Sequence, residues 1–182
     1  MSKLTLQVGA RDHVQGPENA PVTLVEYGDY ECSHCGKAYP VVKEVQKHFG
    51  TRLRFVFRNF PLTESHPHAA LAAEAAEAVG EQGRFWEMHA LLFENQRALD
   101  ASHVLGYAGR AGADVRQVEA ALKSNAFEPR VREDFMSGVR SGVNGTPTFF
   151  INGERFDGRW DLPGLTAAID KATHTHAGGR RV

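Results

Sequence analysis

The chain has 182 residues, of which 42% are hydrophobic, and its formal net charge at pH 7 is −1. This length and apolar content suit one domain with room for an insertion, and the near-neutral charge gives no electrostatic basis for binding nucleic acid or an anionic membrane. No run of about 20 apolar residues is present, so no membrane-spanning helix is expected. The first residues lack the apolar segment of a signal peptide, which predicts a cytoplasmic protein; a chain trimmed of an export signal would read the same.

The first 60 residues predict two strands separated by a helix. Residues 1–21 are polar and rich in turn formers, which is typical of an extended lead-in. β-branched and apolar residues predict one strand over 22–27 and another over 53–60. Between them, apolar residues at helical spacing predict a helix that ends near Gly50. Pro40 should kink this helix, because proline lacks an N–H donor and crowds the preceding turn.

The middle of the chain, residues 66–141, is predicted to be almost wholly helical. Alanine-rich sequence and apolar residues at helical spacing are the signals. The successive helices are predicted over 69–79, over 85–93, over 115–122 with Asp114 as the N-cap, and along an apolar stripe of Val131, Phe135 and Val139.

Strands are predicted again toward the C-terminal end. Residues 148–151 and 154–156 flank Asn152-Gly153, and Asn-Gly between two such runs favours a tight hairpin. A last helix is predicted to begin near Asp161, and the polar tail from His174 is expected to be frayed.

The chain has two cysteines, Cys32 and Cys35, which lie between the first predicted strand and the helix after it. A Cys-x-x-Cys unit at a helix start is typical of a reactive, reversible dithiol, because unpaired N–H groups and the helix dipole favour a thiolate there. Cys32, nearer the helix end and solvent, should attack, and Cys35 should resolve the mixed disulfide. As a structural disulfide the pair would close too small a loop to stabilise the fold much.

Together, the element order, the run Cys32-Ser33-His34-Cys35 and the run Gly145-Thr146-Pro147-Thr148 before the hairpin resemble the DsbA-like thiol–disulfide oxidoreductases of the thioredoxin superfamily. The resemblance implies an α/β, thioredoxin-like fold with an inserted helical domain. Residues 1–65 and 142–182 would form the thioredoxin-like domain, and residues 66–141 the insertion.

The resemblance also implies roles for individual residues. Glu26 matches the buried acid beneath the dithiol, and it could relay a proton to or from Cys35. His34 matches the histidine that can stabilise the Cys32 thiolate by a hydrogen bond or positive charge. The peptide bond between Thr146 and Pro147 is expected to be cis and to lie against the two sulfurs.

Ser33 and Thr146 are expected to contact the substrate, and both bear on the direction of the reaction. Ser33 replaces the usual proline of the strong oxidases, and threonine before the proline occurs among oxidases, reductases and isomerases. The direction therefore stays open at this point.

The predicted function is disulfide exchange with protein or peptide thiols through the Cys32–Cys35 couple, with no bound cofactor or metal and with a redox partner that the sequence does not name. The oligomeric state is left open. In a reducing cytosol, reduction or isomerisation is at least as plausible as oxidation. The alternative is a redox-inactive peptide-binding or zinc-binding domain. Zinc would need the cysteines together with His66 and His68 or with His174 and His176, whose spacings do not match a zinc finger.

Overall fold

The computed structural model describes the backbone of residues 2–178 and the side chains of residues 2–174. This part of the chain contains five strands, seven α-helices and one short 3-10 helix (Gly50–Arg52). The strands are β1 (His13–Gln15), β2 (Val22–Gly28), β3 (Leu53–Asn59), β4 (Thr148–Ile151) and β5 (Glu154–Phe156). The helices are α1 (Ser33–Phe49), α2 (Ala69–Gly80), α3 (Phe85–Glu94), α4 (Ala101–Arg110), α5 (Val115–Lys123), α6 (Glu128–Arg140) and α7 (Leu162–Gly178). The predicted order of strand, helix, strand, helical block, hairpin and helix is confirmed.

The strands form one sheet in the order β1-β3-β2-β4-β5. β4 is antiparallel to β2, with Tyr27 opposite Thr148, and β1 is antiparallel to β3. The central strands β2 and β3 are buried at six of their seven positions, so both of their faces are covered. Burial on both faces explains why these strands are recognisable in the sequence as nearly continuous apolar runs.

Strand β1 lies inside the segment that the sequence predicts to be an extended lead-in with turns, and the sequence did not single out His13–Gln15 as a strand of the sheet. Its three residues are only half-buried, and it is held by its antiparallel pairing with β3. Such a strand carries no strong pattern of its own, because the partner strand supplies its order.

The predicted hairpin is confirmed in β4 and β5. Asn152 and Gly153 connect the strands with φ values of 49° and 82°. Two successive left-handed residues make the turn type whose twist matches that of the flanking strands, and Asn-Gly is the pair that adopts it most readily. The Asn152 side chain also accepts a hydrogen bond from the backbone of Thr23 at 2.8 Å, which ties the turn to the start of β2.

The helical block is largely helical, as predicted, but α4 (Ala101–Arg110) was not predicted as a separate helix, and one face of α6 needs correction. Asp114 caps α5 by accepting from the backbone N–H groups of Arg116 and Gln117, as predicted. In α6, however, Val139 is 45% exposed, so it does not belong to a buried apolar stripe. The buried face of α6 contains Asp134 and Ser137. Polar side chains can lie on a buried helix face when they are hydrogen-bonded, and the spacing of apolar residues in the sequence does not reveal such a face.

Helix α7 runs through Gly178, so the expected frayed tail is wrong for residues 174–178. The rest of that tail, residues 179–182, lies outside the described residues. Leu165 and Ile169 of α7 are fully buried, as the sequence predicts. Across residues 2–178, none of the helices is both long and apolar enough to cross a bilayer.

The contacts divide the chain into two compact units. The sheet unit contains the segment up to Tyr27, Lys37–Arg58 and the described residues from Ser137 onward, and the helical unit contains Gly28–Gly36 and Asn59–Met136. In the helical unit, α2 contacts α3, α4 and α5. Small alanine side chains on α2 allow this close approach, and eight of its twelve residues are buried. The limits of these two units differ from the limits predicted for the two domains. The division into a thioredoxin-like domain and an inserted helical domain stays a prediction.

Candidate active site

The two cysteines lie at the N-terminal end of α1. Residues 29–32 connect β2 to this helix, whose first residue is Ser33. The Cys32 carbonyl accepts the hydrogen bond of Gly36 N–H at 3.0 Å, which makes Cys32 the N-cap residue. The N–H groups of the first turn have no intrahelical acceptor and carry the positive end of the helix dipole. This position favours a thiolate over a thiol at Cys32.

Both cysteines are buried, and the two residues between them are exposed. Cys32 is 5% exposed and Cys35 is 0% exposed, so Cys32 is the more accessible of the two, although far less exposed than the sequence suggests. Ser33 and His34 face solvent on the first turn of α1. The Cys35 sulfur accepts a hydrogen bond from the Asp29 N–H, with 3.4 Å between the nitrogen and Sγ.

Asp29 is the centre of the hydrogen bonds that shape this loop. Its carboxylate is buried, with the side chain 0% exposed. One oxygen, Oδ1, accepts from the Glu31 N–H at 2.8 Å. The other, Oδ2, accepts from the Leu62 N–H at 2.8 Å and lies 2.8 Å from Nδ1 of His66. Asp29 therefore ties the cysteine loop to the segment between β3 and α2 inside the helical unit.

His66 is held close to three negatively charged or ionisable groups. Burial lowers the pKa of His66, but the hydrogen bond and charge of Asp29, with smaller effects of Cys32 and Glu31, outweigh burial and raise the pKa above its ordinary value. The imidazolium form is therefore favoured next to Asp29. The His66 side chain is 24% exposed, so protons can reach it from solvent.

The neighbouring His68 is paired with Glu31. Its Nδ1 lies 2.9 Å from Glu31 Oε1, and its backbone N–H donates to Glu31 Oε2 at 2.6 Å. His66 and His68, the histidines that a zinc site would have used, are thus each bound to a carboxylate of the cysteine loop. In the part of the chain that the structure describes, no three His, Cys, Asp or Glu side chains converge as ligands for a metal ion. The side chain of His176 lies outside the described residues.

Gln96 fixes the cysteine loop from the other direction. Its Nε2 donates to the carbonyl oxygens of Tyr30 and Cys32, both at 2.8 Å. Its Oε1 would lie 2.0 Å from a Cβ placed on Gly36. Only glycine therefore leaves room at position 36 for the amide that holds the loop. The sequence gives no sign of this contact, because Gln96 lies 60 residues after Gly36.

Tyr30 anchors the loop to α3. Its side chain is 1% exposed, and its hydroxyl lies 3.1 Å from Nδ1 of His89. The ring of Tyr30 also packs against that of Phe93, with 4.8 Å between the centroids. His89 and Phe93 belong to the amphipathic face that the sequence predicts for α3, and both are buried.

The remaining predicted site residues lie in the sheet unit. Glu26 is 2% exposed in β2, opposite Phe149 of β4. The peptide bond between Thr146 and Pro147 is cis, and Pro147 directly precedes β4. The register places the first residue of β4 opposite Tyr27, near the end of β2. The roles of Glu26, Thr146 and Pro147 stay predictions.

Comparison with known proteins supports the fold and the family. A family model described as thioredoxin matches residues 9–171. The oxidised form of BdbD from Bacillus subtilis is 24% identical with a TM-score of 0.85, covering 96% of this chain and 100% of that chain. A thioredoxin-like oxidoreductase from Silicibacter pomeroyi DSS-3 is 25% identical with a TM-score of 0.81, covering 91% and 94%. Wolbachia pipientis alpha-DsbA1 is 18% identical with a TM-score of 0.84, covering 98% of both chains. The predicted fold class is confirmed.

Curated relatives match this chain over a small part of their own length. The Na(+)/H(+) antiporter NhaA 1 of Salinispora arenicola is 49% identical over 162 residues, which are 89% of this chain and 25% of the relative. The NhaA of Herminiimonas arsenicoxydans is 43% identical over 159 residues, which are 87% and 25%. The chain thus spans about a quarter of the length of these relatives. The name antiporter belongs to those whole proteins, and antiport is not attributed to this chain.

Proposed function

Because the chain belongs to the thioredoxin family and resembles the DsbA-like thiol–disulfide oxidoreductases of that superfamily, we propose that it exchanges disulfides with protein or peptide thiols through Cys32 and Cys35. The observation that carries this proposal is the position of the two cysteines. Cys32 is the N-cap of α1, and Cys35 lies fully buried in the first turn of the same helix. This arrangement separates a thiolate that can attack from a thiol that can resolve.

The exchange needs no bound cofactor, because the two sulfurs hold the redox equivalents. In the reducing direction, the Cys32 thiolate attacks one sulfur of the partner disulfide, and the other partner sulfur leaves as a thiolate. Cys35 then loses its proton, and its thiolate attacks the Cys32 sulfur of the mixed disulfide. The second partner sulfur leaves, so two electrons have passed from the dithiol to the partner. In the oxidising direction, the same steps run in reverse, starting from the Cys32–Cys35 disulfide.

We assign the other residues of the site by the family resemblance and by their surroundings. Ser33 would contact the partner, which its exposure on the first turn of α1 supports, and His34 would stabilise the Cys32 thiolate, as the resemblance implies. Glu26 would exchange the proton of Cys35, which its burial in β2 supports. Thr146 and Pro147 would contact the substrate, as the resemblance implies.

The direction of the reaction depends on the reduction potential of the Cys32–Cys35 couple and on the compartment. A strongly oxidising couple has a potential near about −120 mV, whereas a thioredoxin-like reductant has one near about −270 mV. A reducing compartment would keep the pair reduced and favour reduction or isomerisation of partner disulfides, whereas an oxidising compartment would favour their formation.

The test is the equilibrium of the purified chain with glutathione, together with Cys32→Ser and Cys35→Ser variants. We expect a reversible two-electron couple, complete loss of exchange in Cys32→Ser, and, in Cys35→Ser, a trapped mixed disulfide after attack of Cys32 on a partner disulfide such as oxidised glutathione. The absence of a reversible couple, or exchange that survives Cys32→Ser, would exclude the proposal. Peptide binding without exchange would support the redox-inactive alternative instead.

A further inference from the structure

We propose that His66 is a positioning residue of the redox site: by neutralising buried Asp29, it stabilises the Cys32 thiolate and makes the Cys32–Cys35 disulfide a stronger oxidant. The inference rests on the proposed function and adds a second histidine to it, outside the Cys-x-x-Cys motif. All of the residues involved belong to the helical unit.

The first step of the argument is the contact of Asp29 with both cysteines. Its N–H donates to the Cys35 sulfur, at 3.4 Å, and its carbonyl oxygen accepts from the Cys32 N–H, at 3.2 Å. The residue that bears the buried carboxylate is therefore also the residue whose backbone holds the dithiol loop. A change in charge or position at Asp29 therefore bears on the Cys35 sulfur directly and on Cys32 through its backbone.

The second step is the charge of Asp29. A carboxylate whose side chain is 0% exposed needs compensation, because a buried charge without a partner is strongly destabilised. Two backbone N–H groups, of Glu31 and Leu62, supply hydrogen bonds but no net charge. His66 is the side chain that can supply a positive charge, since its Nδ1 lies 2.8 Å from Asp29 Oδ2.

The third step is the effect on the sulfurs. An uncompensated carboxylate beside a thiolate raises the free energy of the thiolate, because like charges repel. With His66 protonated, the Asp29–His66 pair is neutral overall and the repulsion is largely removed. The charged groups that act on His66 are Asp29, Cys32 and Glu31, and each of them favours its protonated form. Whatever stabilises the thiolate stabilises the reduced protein and raises its reduction potential.

The test compares His66→Asn with the wild-type chain. Asparagine keeps an N–H donor for Asp29 but cannot carry the charge. We expect the equilibrium constant for oxidation of glutathione by the protein to fall about ten-fold, which corresponds to about 30 mV. The ultraviolet absorbance of the thiolate should also appear at higher pH.

The matched control is His103→Asn. His103 Nδ1 also bonds an aspartate, Asp100, at 2.5 Å, but this pair is exposed at the start of α4, with the His103 side chain 57% exposed. We expect His103→Asn to leave the equilibrium with glutathione unchanged. An equal shift in both variants, or no shift in a folded His66→Asn protein, would overturn the inference.

A second measurement uses the wild-type chain and keeps the inference testable if His66→Asn does not fold. Coupling between two sites is reciprocal, so if His66 stabilises the Cys32 thiolate, the thiolate must stabilise the imidazolium. The NMR titration of the His66 ring should therefore move to lower pH when the dithiol is oxidised. Identical titrations in the two redox forms would overturn the inference. If the wild-type chain showed no reversible couple, the proposed function itself would fail.

Discussion

The sheet unit and the helical unit each contain a buried charge whose partner is of a different kind. In the sheet unit, Arg58 is 0% exposed and donates to both carboxylate oxygens of Asp12, at 2.8 and 3.0 Å. Its other donors reach the hydroxyl of Tyr27 and the carbonyls of Leu6 and Gln7. In the helical unit, buried Asp29 is compensated by His66, which is partly exposed and titratable.

The comparison teaches what each kind of pair can do. Burial lowers the pKa of Arg58, but the hydrogen bonds and charges of Asp12 and Tyr27 outweigh burial and raise it, so the guanidinium keeps its charge at any pH that the protein survives. Such a pair is structural. The Asp29–His66 pair loses its positive charge when His66 is deprotonated, so it can respond to pH and to the state of the cysteines.

The largest expected effect on stability comes from breaking the structural pair of Arg58 and Asp12. Arg58→Met should lower the free energy of unfolding by about 3–5 kcal/mol, because it removes the buried guanidinium that pairs with Asp12, whose side chain is 8% exposed. Urea unfolding measures the change. The control is Arg52→Met, which removes an exposed arginine 3.9 Å from Asp170 and should change stability by less than about 0.5 kcal/mol. A small effect of Arg58→Met would contradict the structural role.

A smaller loss of stability is expected when Gln96, the uncharged donor that holds the cysteine loop, is displaced. Gly36→Ala should cost about 2 kcal/mol, because the new Cβ displaces Gln96 from the Tyr30 and Cys32 carbonyls. In a Gln96→Ala background the same substitution should cost less, since the clash is gone. Thermal unfolding of the four proteins measures this coupling.

The control for Gly36→Ala is Gly106→Ala. Gly106 lies in α4 with nothing within 4 Å of a Cβ placed there, so alanine should be neutral or stabilise the helix by up to about 1 kcal/mol. If Gly36→Ala were equally harmless, Gln96 would not hold the loop as the structure indicates.

Asp134 combines features of the two pairs: it is a buried carboxylate of the helical unit, and its partner, Arg130, is permanently charged. Burial raises the pKa of Asp134 to about 6, although Arg130 and the Asn59 N–H lower it; nearby Glu77 raises it further. The folded state thus binds this proton more tightly than the unfolded state does. Relative to Asp134→Asn, wild-type stability should therefore fall as the pH rises from about 4 to about 6, by on the order of 1–3 kcal/mol.

The measurement for Asp134 is the free energy of unfolding of both proteins at several pH values across that interval. Glu119→Gln is the control, because Glu119 is 46% exposed and pairs with Lys123 on the surface of α5. Its difference from the wild type should be small and flat with pH. A wild-type stability that rises with pH relative to that of Asp134→Asn would have the wrong sign and would contradict the assignment.

The smallest expected effect is the loss of protein stability when the titratable Asp29–His66 pair is broken. With Cys32→Ser in both proteins, His66→Asn should cost about 1 kcal/mol, the difference between a charged and a neutral hydrogen bond. Since the folded-state pKa of His66 is raised, this contribution is fully present below about pH 6.5 and is lost as the pH rises through the raised value. A pH-independent cost in unfolding experiments would mean that His66 acts only by shape.

Local patterns predicted most of the elements and the position of the dithiol. The limits of β2, α2, α3 and α5 were readable because apolar spacing and capping residues are properties of adjacent residues. Asn152-Gly153 predicted its hairpin for the same reason. The exposure of Cys32 and the apolar stripe through Val139 were overestimated, because burial depends on what packs against a helix from elsewhere in the chain.

The residues around the dithiol were harder to recognise. The sequence shows His66 and His68 as a short pair, for which a metal site was the chemical alternative, and the carboxylates that bind them lie more than 30 residues earlier. Asp29 looked like an ordinary loop residue. The clue in hindsight is the density of acidic residues immediately before Cys32, which calls for positive partners from another segment.

By itself, the sequence determined the order of the elements, the hairpin turn and the placement of Cys32 and Cys35 at a helix start, because each depends on backbone preferences and on neighbours a few residues away. Only the tertiary structure decided that Gln96 holds the cysteine loop, that Asp29 is buried beside the dithiol and that His66 compensates it. The contacts of Gln96 and His66 with the cysteine loop join residues more than 30 positions apart, and their strength comes from burial, which no local pattern records.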